Sequence, residues 1–242
     1  MTDSFLGKAL RGPRALARRT LDSAAEWEVL HDLRLRLRSR QDRYTDVYDS
    51  QAWESAESGS GTGSELRATD NVRERLPGLL RRLGARSLLD APCGDWNWMR
   101  HVDLPVEEYF GVDIVPSVIE ENRRRFGGAG RAFSVADLSR DPLPAADVVL
   151  CRDCLVHVSY QDAAAILENF RATGAEWLLL NTYPEIRRNR NQFTGARWRR
   201  LNFSLPPFGF PEPLETISDG GDVDPSQLGV WKLQQLPRIG AF

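Results

Sequence analysis

Between residues 86 and 182 the chain repeats one pattern. A short apolar segment ends in a polar or reactive residue, and a stretch of helical character leads to the next. SLLD ends at Asp90, YFGVD at Asp113, AFSVAD at Asp137, DVVLC at Cys151 and EWLLLNT at Thr182. Helical segments fall near Trp98–His101, Ser117–Phe126 and Tyr160–Thr173. Strands alternating with helices imply right-handed βαβ units and a parallel sheet. A helix is predicted ahead of them, over Asn71–Leu83. It carries Val72, Leu76, Leu79, Leu80 and Leu83 at helical spacing and is stopped by Gly84. After Thr182 the alternation ends. The tail is rich in proline and aromatics and closes on LGVWKLQQL, which suits an antiparallel hairpin at the sheet edge, roughly 198–236.

The 242 residues divide into a proposed N-terminal extension, 1–64, and a main domain, 65–242. Residues 1–50 read as helical and charged, although Leu30, Leu33, Leu35 and Leu37 alternate with Arg34, Arg36, Arg38 and Arg40. SAESGSGTGS at 55–64 has little core-forming power and is expected to be a loop or a lid. The net charge of −2 argues for neither nucleic acid nor membrane as a partner. No apolar run reaches the roughly 20 residues of a membrane helix, and no apolar segment follows the basic Lys8, Arg11 and Arg14, so a soluble cytoplasmic protein is expected. Three cysteines do not make a disulfide framework.

In an open parallel sheet, ligands bind outside the carboxyl ends of the strands. Three of those ends carry Asp90, Asp113 and Asp137, and a fourth is followed by Arg152 and Asp153. Any one of these acids suits a helix cap; together they indicate a site. The first turn reads Asp90-Ala91-Pro92-Cys93-Gly94-Asp95-Trp96. A pyrophosphate needs a glycine-rich turn there, and this one has a single glycine, a carboxylate and a large ring. That disfavours NAD. S-adenosylmethionine has no phosphate and carries an ammonium and a sulfonium, which Asp90 and Asp95 suit electrostatically. Asp113 lies 19 residues after Gly94, where an acid is expected to accept from ribose hydroxyls. Asp137 would accept from the adenine amine, with Ile114 and Leu138 packing on the ring.

These residues together resemble the class I S-adenosylmethionine-dependent methyltransferases over about 86–182. More narrowly they are similar to a bacterial subgroup with a PCGD-x-x-WM first motif and a C-R-D-x-L-V-H block. The matching stretches are ESGSGTGS, PCGDWNWM and CRDCLVH. The resemblance implies an α/β, Rossmann-like, doubly wound, mostly parallel seven-stranded sheet. It implies that Asp90 and the turn Pro92, Cys93, Gly94, Asp95 and Trp96 hold the methionine part of the donor. Asp113 would hold the ribose, Asp137 and Leu138 the adenine, and Cys151 and Arg152 would line the donor. Pro92 and Trp96 stand where the family usually has glycine.

The acceptor would meet the methyl group after the fourth strand. Asp153 and His157, at i and i+4, would share a face of a short helix, and either suits a general base for an acceptor hydroxyl. A packing role for His157 is equally expected. Cys151-x-x-Cys154 falls on the fourth strand, the wrong place for a redox pair, and no metal site is evident. Residues 187–200 hold six arginines and no acid, so Trp198, Arg199 and Asn202 are candidates for an acceptor subsite, by stacking and forked hydrogen bonds. A small-molecule or saccharide-like acceptor is the first reading. An RNA methyltransferase and a non-catalytic nucleotide-binding protein of the same fold are the alternatives.

Overall fold

Each strand of the repeat has apolar residues pointing both ways, so the sheet needs cover on both faces. In the computed structural model, which describes residues 37–221 and 224–240, it has that cover. Seven strands stand in the order β3-β2-β1-β4-β5-β7-β6. They are β1 (Ser87–Asp90), β2 (Glu108–Asp113), β3 (Arg131–Val135), β4 (Val148–Cys151), β5 (Trp177–Thr182), β6 (Glu215–Asp219) and β7 (Ser226–Lys232). β1 to β5 pair in parallel, and β7 runs antiparallel to both β5 and β6. The parallel sheet and the terminal hairpin are as the sequence implies. The hairpin strands begin at Glu215, later than expected, because 184–214 runs without a strand.

Among the described residues four helices accompany the sheet: α1 (Arg40–Asp49), α2 (Leu66–Arg82), α3 (Pro116–Phe126) and α4 (Tyr160–Ala172). Leu88, Leu150, Leu179 and Leu228 face the side where Val72, Leu76, Leu79 and Leu80 of α2 and Ile119 of α3 pack. Leu89, Val149, Leu178 and Leu180 face the other side, against Ala163, Ile166, Leu167 and Phe170 of α4. There the proline-rich tail adds Leu201, Phe203, Phe208 and Phe210, which close the core beside Trp231.

Local signals set the helix ends. Gly84 stops the chain just after α2 with φ +67°, a conformation natural to glycine. α2 begins at Leu66, earlier than its apolar spacing shows, because Ala68 and Thr69 supply buried contacts that a search for leucine and valine passes over. Ser159 caps α4, its side chain accepting from the Asp162 N–H. The stretch from Arg40 onward forms one compact unit, so α1 and the serine/glycine segment pack with the sheet domain. The helical reading of residues 1–36 lies outside the described residues. None of the described helices is long and apolar enough to cross a membrane.

Gly111 marks a close approach within β2. A Cβ there would meet the Phe133 ring at 2.5 Å and Cys93 Sγ at 3.1 Å. Gly111→Ala is expected to cost about 1–3 kcal/mol by overpacking. Denaturant unfolding checks this, and an unchanged midpoint would show that the Phe133 ring yields freely.

Candidate active site

Strand ends place the acids. β1, β2 and β3 run in parallel, so Asp90, Asp113 and Asp137 emerge at one edge of the sheet and line one cleft. The cleft is about 990 Å³ including its open mouth, within the usual range for a ligand site. Pro92, Cys93, Gly94, Ile114, Leu138, Arg152, Asp153 and His157 line it as well.

Asp113 is held from both oxygens. Oδ2 accepts from the Gly94 N–H at 3.1 Å and Oδ1 from the Val115 N–H at 3.0 Å. Each oxygen keeps a lone pair for a ligand. Burial still pushes this carboxyl up to about 6. Asp90 accepts from the Tyr109 hydroxyl at 2.6 Å, and burial pushes it up to about 7. Burial also acts to raise Asp137, but hydrogen bonds from Ser139 and the nearby Arg40 outweigh it and hold the carboxyl low.

The first turn divides its residues. Gly94 sits at φ +53°, and a Cβ there would meet Ser60 Oγ at 2.3 Å. Asp95 does not line the cleft. It accepts from the Ser58 hydroxyl, from the Gly59 N–H at 2.8 Å and from the Ser60 hydroxyl at 3.2 Å, so it pins the serine/glycine segment. Trp96 does not reach the cleft either. Its φ of +58° goes with a ring buried among Tyr109, Phe126 and Phe133. Trp98 lines the cleft in its place.

Beyond β4, Asp153 adopts φ +52°, and the helical turn begins only at Leu155. Asp153 and His157 therefore do not share a helix face, contrary to their spacing, yet both line the cleft. Asn181 explains the geometry: its side chain accepts from the Asp153 N–H at 3.0 Å and donates to the Asp153 carboxylate at 2.6 Å. Arg152 is buried. It forks onto Asp219 of β6 at 2.8 and 2.9 Å and reaches Asp153 at 3.0 Å. His157 Nδ1 meets the Arg197 carbonyl at 3.1 Å. A carbonyl only accepts, so Nδ1 carries the hydrogen and Nε2 the lone pair. Burial drives the ring down to about 4, against the pull of the Arg197 and Ala196 carbonyls, so it is neutral at pH 7.

A second cavity adjoins the first and shares Trp53, Ser60, Arg152, Asp153 and His157 with it. Tyr183, Trp198 and Asp224 form its far side. Trp198 is where the sequence reading puts it, 45% exposed at the mouth. Arg199 and Asn202 are not on that surface. Arg199 spends its guanidinium on the carbonyls of Leu155, Val156, Val158 and Arg190. Asn202 is buried and donates to the Pro184 and Ile186 carbonyls. Both order the loop over the sheet edge.

Sequence reasoning missed the contribution of α1. Arg40, Tyr44 and Tyr48 line the first cleft, and Trp53 follows them. Their i, i+4, i+8 spacing was the available signal. It is easily passed over because a helical face made of an arginine and two tyrosines reads as solvated.

Residues 89–173 match the model of a methyltransferase domain family. No curated protein matches the chain. Among solved structures, magnesium protoporphyrin IX methyltransferase from Synechocystis PCC 6803 with bound S-adenosylmethionine superposes with a TM-score of 0.55 at 14% identity. That match covers 80% of this chain and 96% of the other. The methyltransferase domain of bacterial CtHen1-C superposes with a TM-score of 0.51 at 18% identity, covering 68% of this chain and 98% of the other. The chain has the Rossmann-like fold of S-adenosylmethionine-dependent methyltransferases.

The buried Arg152–Asp219 pair generates a stability prediction. Asp219→Ala would leave a guanidinium buried with only Asp153 beside it. Losing one partner of such a pair costs about 3–5 kcal/mol. Urea unfolding measures it, and a loss below about 1 kcal/mol would show that the fold does not depend on the pair.

Proposed function

We propose that this protein transfers a methyl group from S-adenosylmethionine to a small or saccharide-like acceptor, at a hydroxyl. The observation that carries the reading is Asp113. A buried carboxylate, fixed by two backbone N–H groups, opens with a lone pair on each oxygen into a cleft that also holds Asp90 and Asp137. Paired ribose hydroxyls suit that carboxylate, and the acids around it suit a cationic donor rather than a phosphate.

When bound, the donor supplies an electrophilic methyl carbon on a sulfonium. Asp90 and the Pro92–Gly94 turn would hold its methionine part, Asp113 the ribose, and Asp137 with Ile114 and Leu138 the adenine. Asp95 acts at one remove, by holding Ser58–Ser60 against the turn. The acceptor would occupy the second cavity, against Trp53, Tyr183 and Trp198. Asp153 and His157 stand where the two cavities meet. His157, through the lone pair on Nε2, would take the proton of an acceptor hydroxyl. Alignment and exclusion of water supply most of the remaining rate. The arginines of 187–200 contribute little to ligand recognition on this reading. Arg199 is used within the fold, and Arg200 pairs with Asp224 at 2.8 Å. That favours a neutral polyhydroxy acceptor over an anionic one. The same motifs support reading the chain as a member of the bacterial subgroup with the PCGD-x-x-WM turn.

Calorimetric titration tests the donor assignment. S-adenosylmethionine and S-adenosylhomocysteine are expected to bind and NAD is not. Asp113→Ala is expected to weaken both ligands at least about tenfold, since hydrogen bonds to a charged acceptor are lost. Absence of binding to wild type, or full affinity in the variant, would overturn the assignment.

Asp90 adds a pH dependence. An unfolded aspartate titrates near 3.9, but the folded one keeps its proton to about 7, so this group makes the ligand-free protein less stable as pH rises through that window. A cationic donor favours the ionised carboxylate, so binding releases a proton. Donor affinity should therefore rise between about pH 5.5 and 7.5, less steeply in Asp90→Asn. Titrations in buffers of differing ionisation enthalpy give the proton count, and a count of zero would remove Asp90 from the donor site.

A further inference from the structure

Helix α1 lies along the donor cleft with Arg40, Tyr44 and Tyr48 one turn apart, a span of about 12 Å. Its two ends are already engaged. Arg40 bridges Asp137 at 3.0 Å and Asp162 at 2.5 Å. The Tyr48 hydroxyl meets Ser60 Oγ at 2.7 Å, and Tyr48 faces Asp113, Asp95 and Cys93. The order along the helix therefore follows the order of the strand-end groups: β3 at Arg40, and the Cys93–Asp95 turn at Tyr48.

Tyr44 stands between them and differs from both. Its ring lines the cleft 6.5 Å from Trp53, and its hydroxyl has no hydrogen-bond partner among the described residues. The charged or ionisable groups that face it are Cys154, Arg43, Asp162 and Asp113. Burial pushes the phenol above its ordinary range, so it is a neutral O–H at any working pH. Tyr44 lines the cleft together with Asp113, the residue assigned above to the ribose, and Asp137, assigned to the adenine.

We propose that α1 belongs to the donor site and that the Tyr44 hydroxyl donates a hydrogen bond to the adenosine half of the bound donor, at a ribose oxygen or a ring nitrogen. This rests on the donor assignment made above. The helix thereby completes a site whose floor is the sheet edge, and a segment outside the matched methyltransferase domain reads part of the nucleoside.

The experiment compares wild type and Tyr44→Phe by calorimetry. The two ligands are S-adenosylhomocysteine and 5′-methylthioadenosine, which keeps the adenosine half and lacks the amino acid. The variant removes an oxygen that has no hydrogen-bond partner among the described residues, so its melting temperature without ligand should match wild type. Both ligands should bind about fivefold more weakly, the loss of one neutral hydrogen bond. Equal affinity for both proteins overturns the proposal, as does a loss for S-adenosylhomocysteine alone, which would put the hydroxyl at the methionine end. A wild type that binds neither ligand overturns the donor assignment and this inference with it. Tyr44→Leu provides the second variant: it should retain the fold and lose at least as much affinity for both ligands, and unchanged affinity in it would also count against the proposal.

Discussion

The buried guanidinium of Arg152 holds together the parts from which the site is made. It leaves β4, forks onto Asp219 at the end of β6, and reaches back to Asp153 in the turn that follows its own strand. A charge removed from water needs such partners, and two carboxylates in hydrogen-bond contact supply them. The consequence is geometric. β6 belongs to the terminal hairpin and β4 lies at the centre of the sheet, so one side chain fixes the edge of the sheet against its middle. It also holds Asp153 at the left-handed conformation that turns its carboxylate toward both cavities, helped by Asn181 of β5. Asp153 is oriented by Asn181 of β5 and by Arg152, itself anchored on Asp219 of β6, and its place in the sequence alone does not show this.

Asp95 plays a comparable part on the other side of the cleft. A carboxylate in a ligand-binding turn invites assignment to the ligand, and the serine/glycine segment invites assignment to a mobile lid. The structure joins the two: the hydroxyls and N–H of Ser58, Gly59 and Ser60 converge on the Asp95 carboxylate. Small residues are needed there for a steric reason. Gly94 lies against Ser60, Gly63 lies against Asp153, and a Cβ at either glycine would come closer than a real contact allows. The segment is thus seated against the first turn and the post-β4 turn together.

Much of the fold was legible because strand ends and apolar alternation are local signals. Asp90, Asp113 and Cys151 end strands as the pattern implies, and Val72, Leu76, Leu79 and Leu80 face the core as their spacing implies. The misplacements share a cause: side-chain direction set by backbone conformation or by distant partners. Trp96 and Trp98 are two residues apart and nearly equivalent on paper, and a positive φ at Trp96 accompanies the burial of one ring under the sheet while the other lines the cleft. Arg199 reads as a ligand-binding arginine until four carbonyls of its own chain are found around it. Arg40, Tyr44 and Tyr48 were hidden for the opposite reason. They lie in a segment with a mean character of solvated helix, and only the cleft they roof gives their spacing meaning.

The electrostatics of the cleft point to the chemical class of its ligand. Asp90 and Asp113 are both buried, both held by hydrogen bonds, and both displaced upward by burial. Two such carboxyls near one another disfavour their own ionised forms, and Arg152, the cation that acts on Asp90, is already committed to Asp219 and Asp153. An anionic ligand would deepen that cost. A neutral one would leave it unchanged. A ligand bearing its own positive charge removes it, and a sulfonium next to an ammonium does so without phosphates to accommodate in a turn that has one glycine. The absence of a glycine-rich cradle and the accumulation of strand-end acids are thus two expressions of one requirement. The same cationic character explains why the site tolerates burying carboxyls that, without a ligand, weaken the fold above their unfolded titration range.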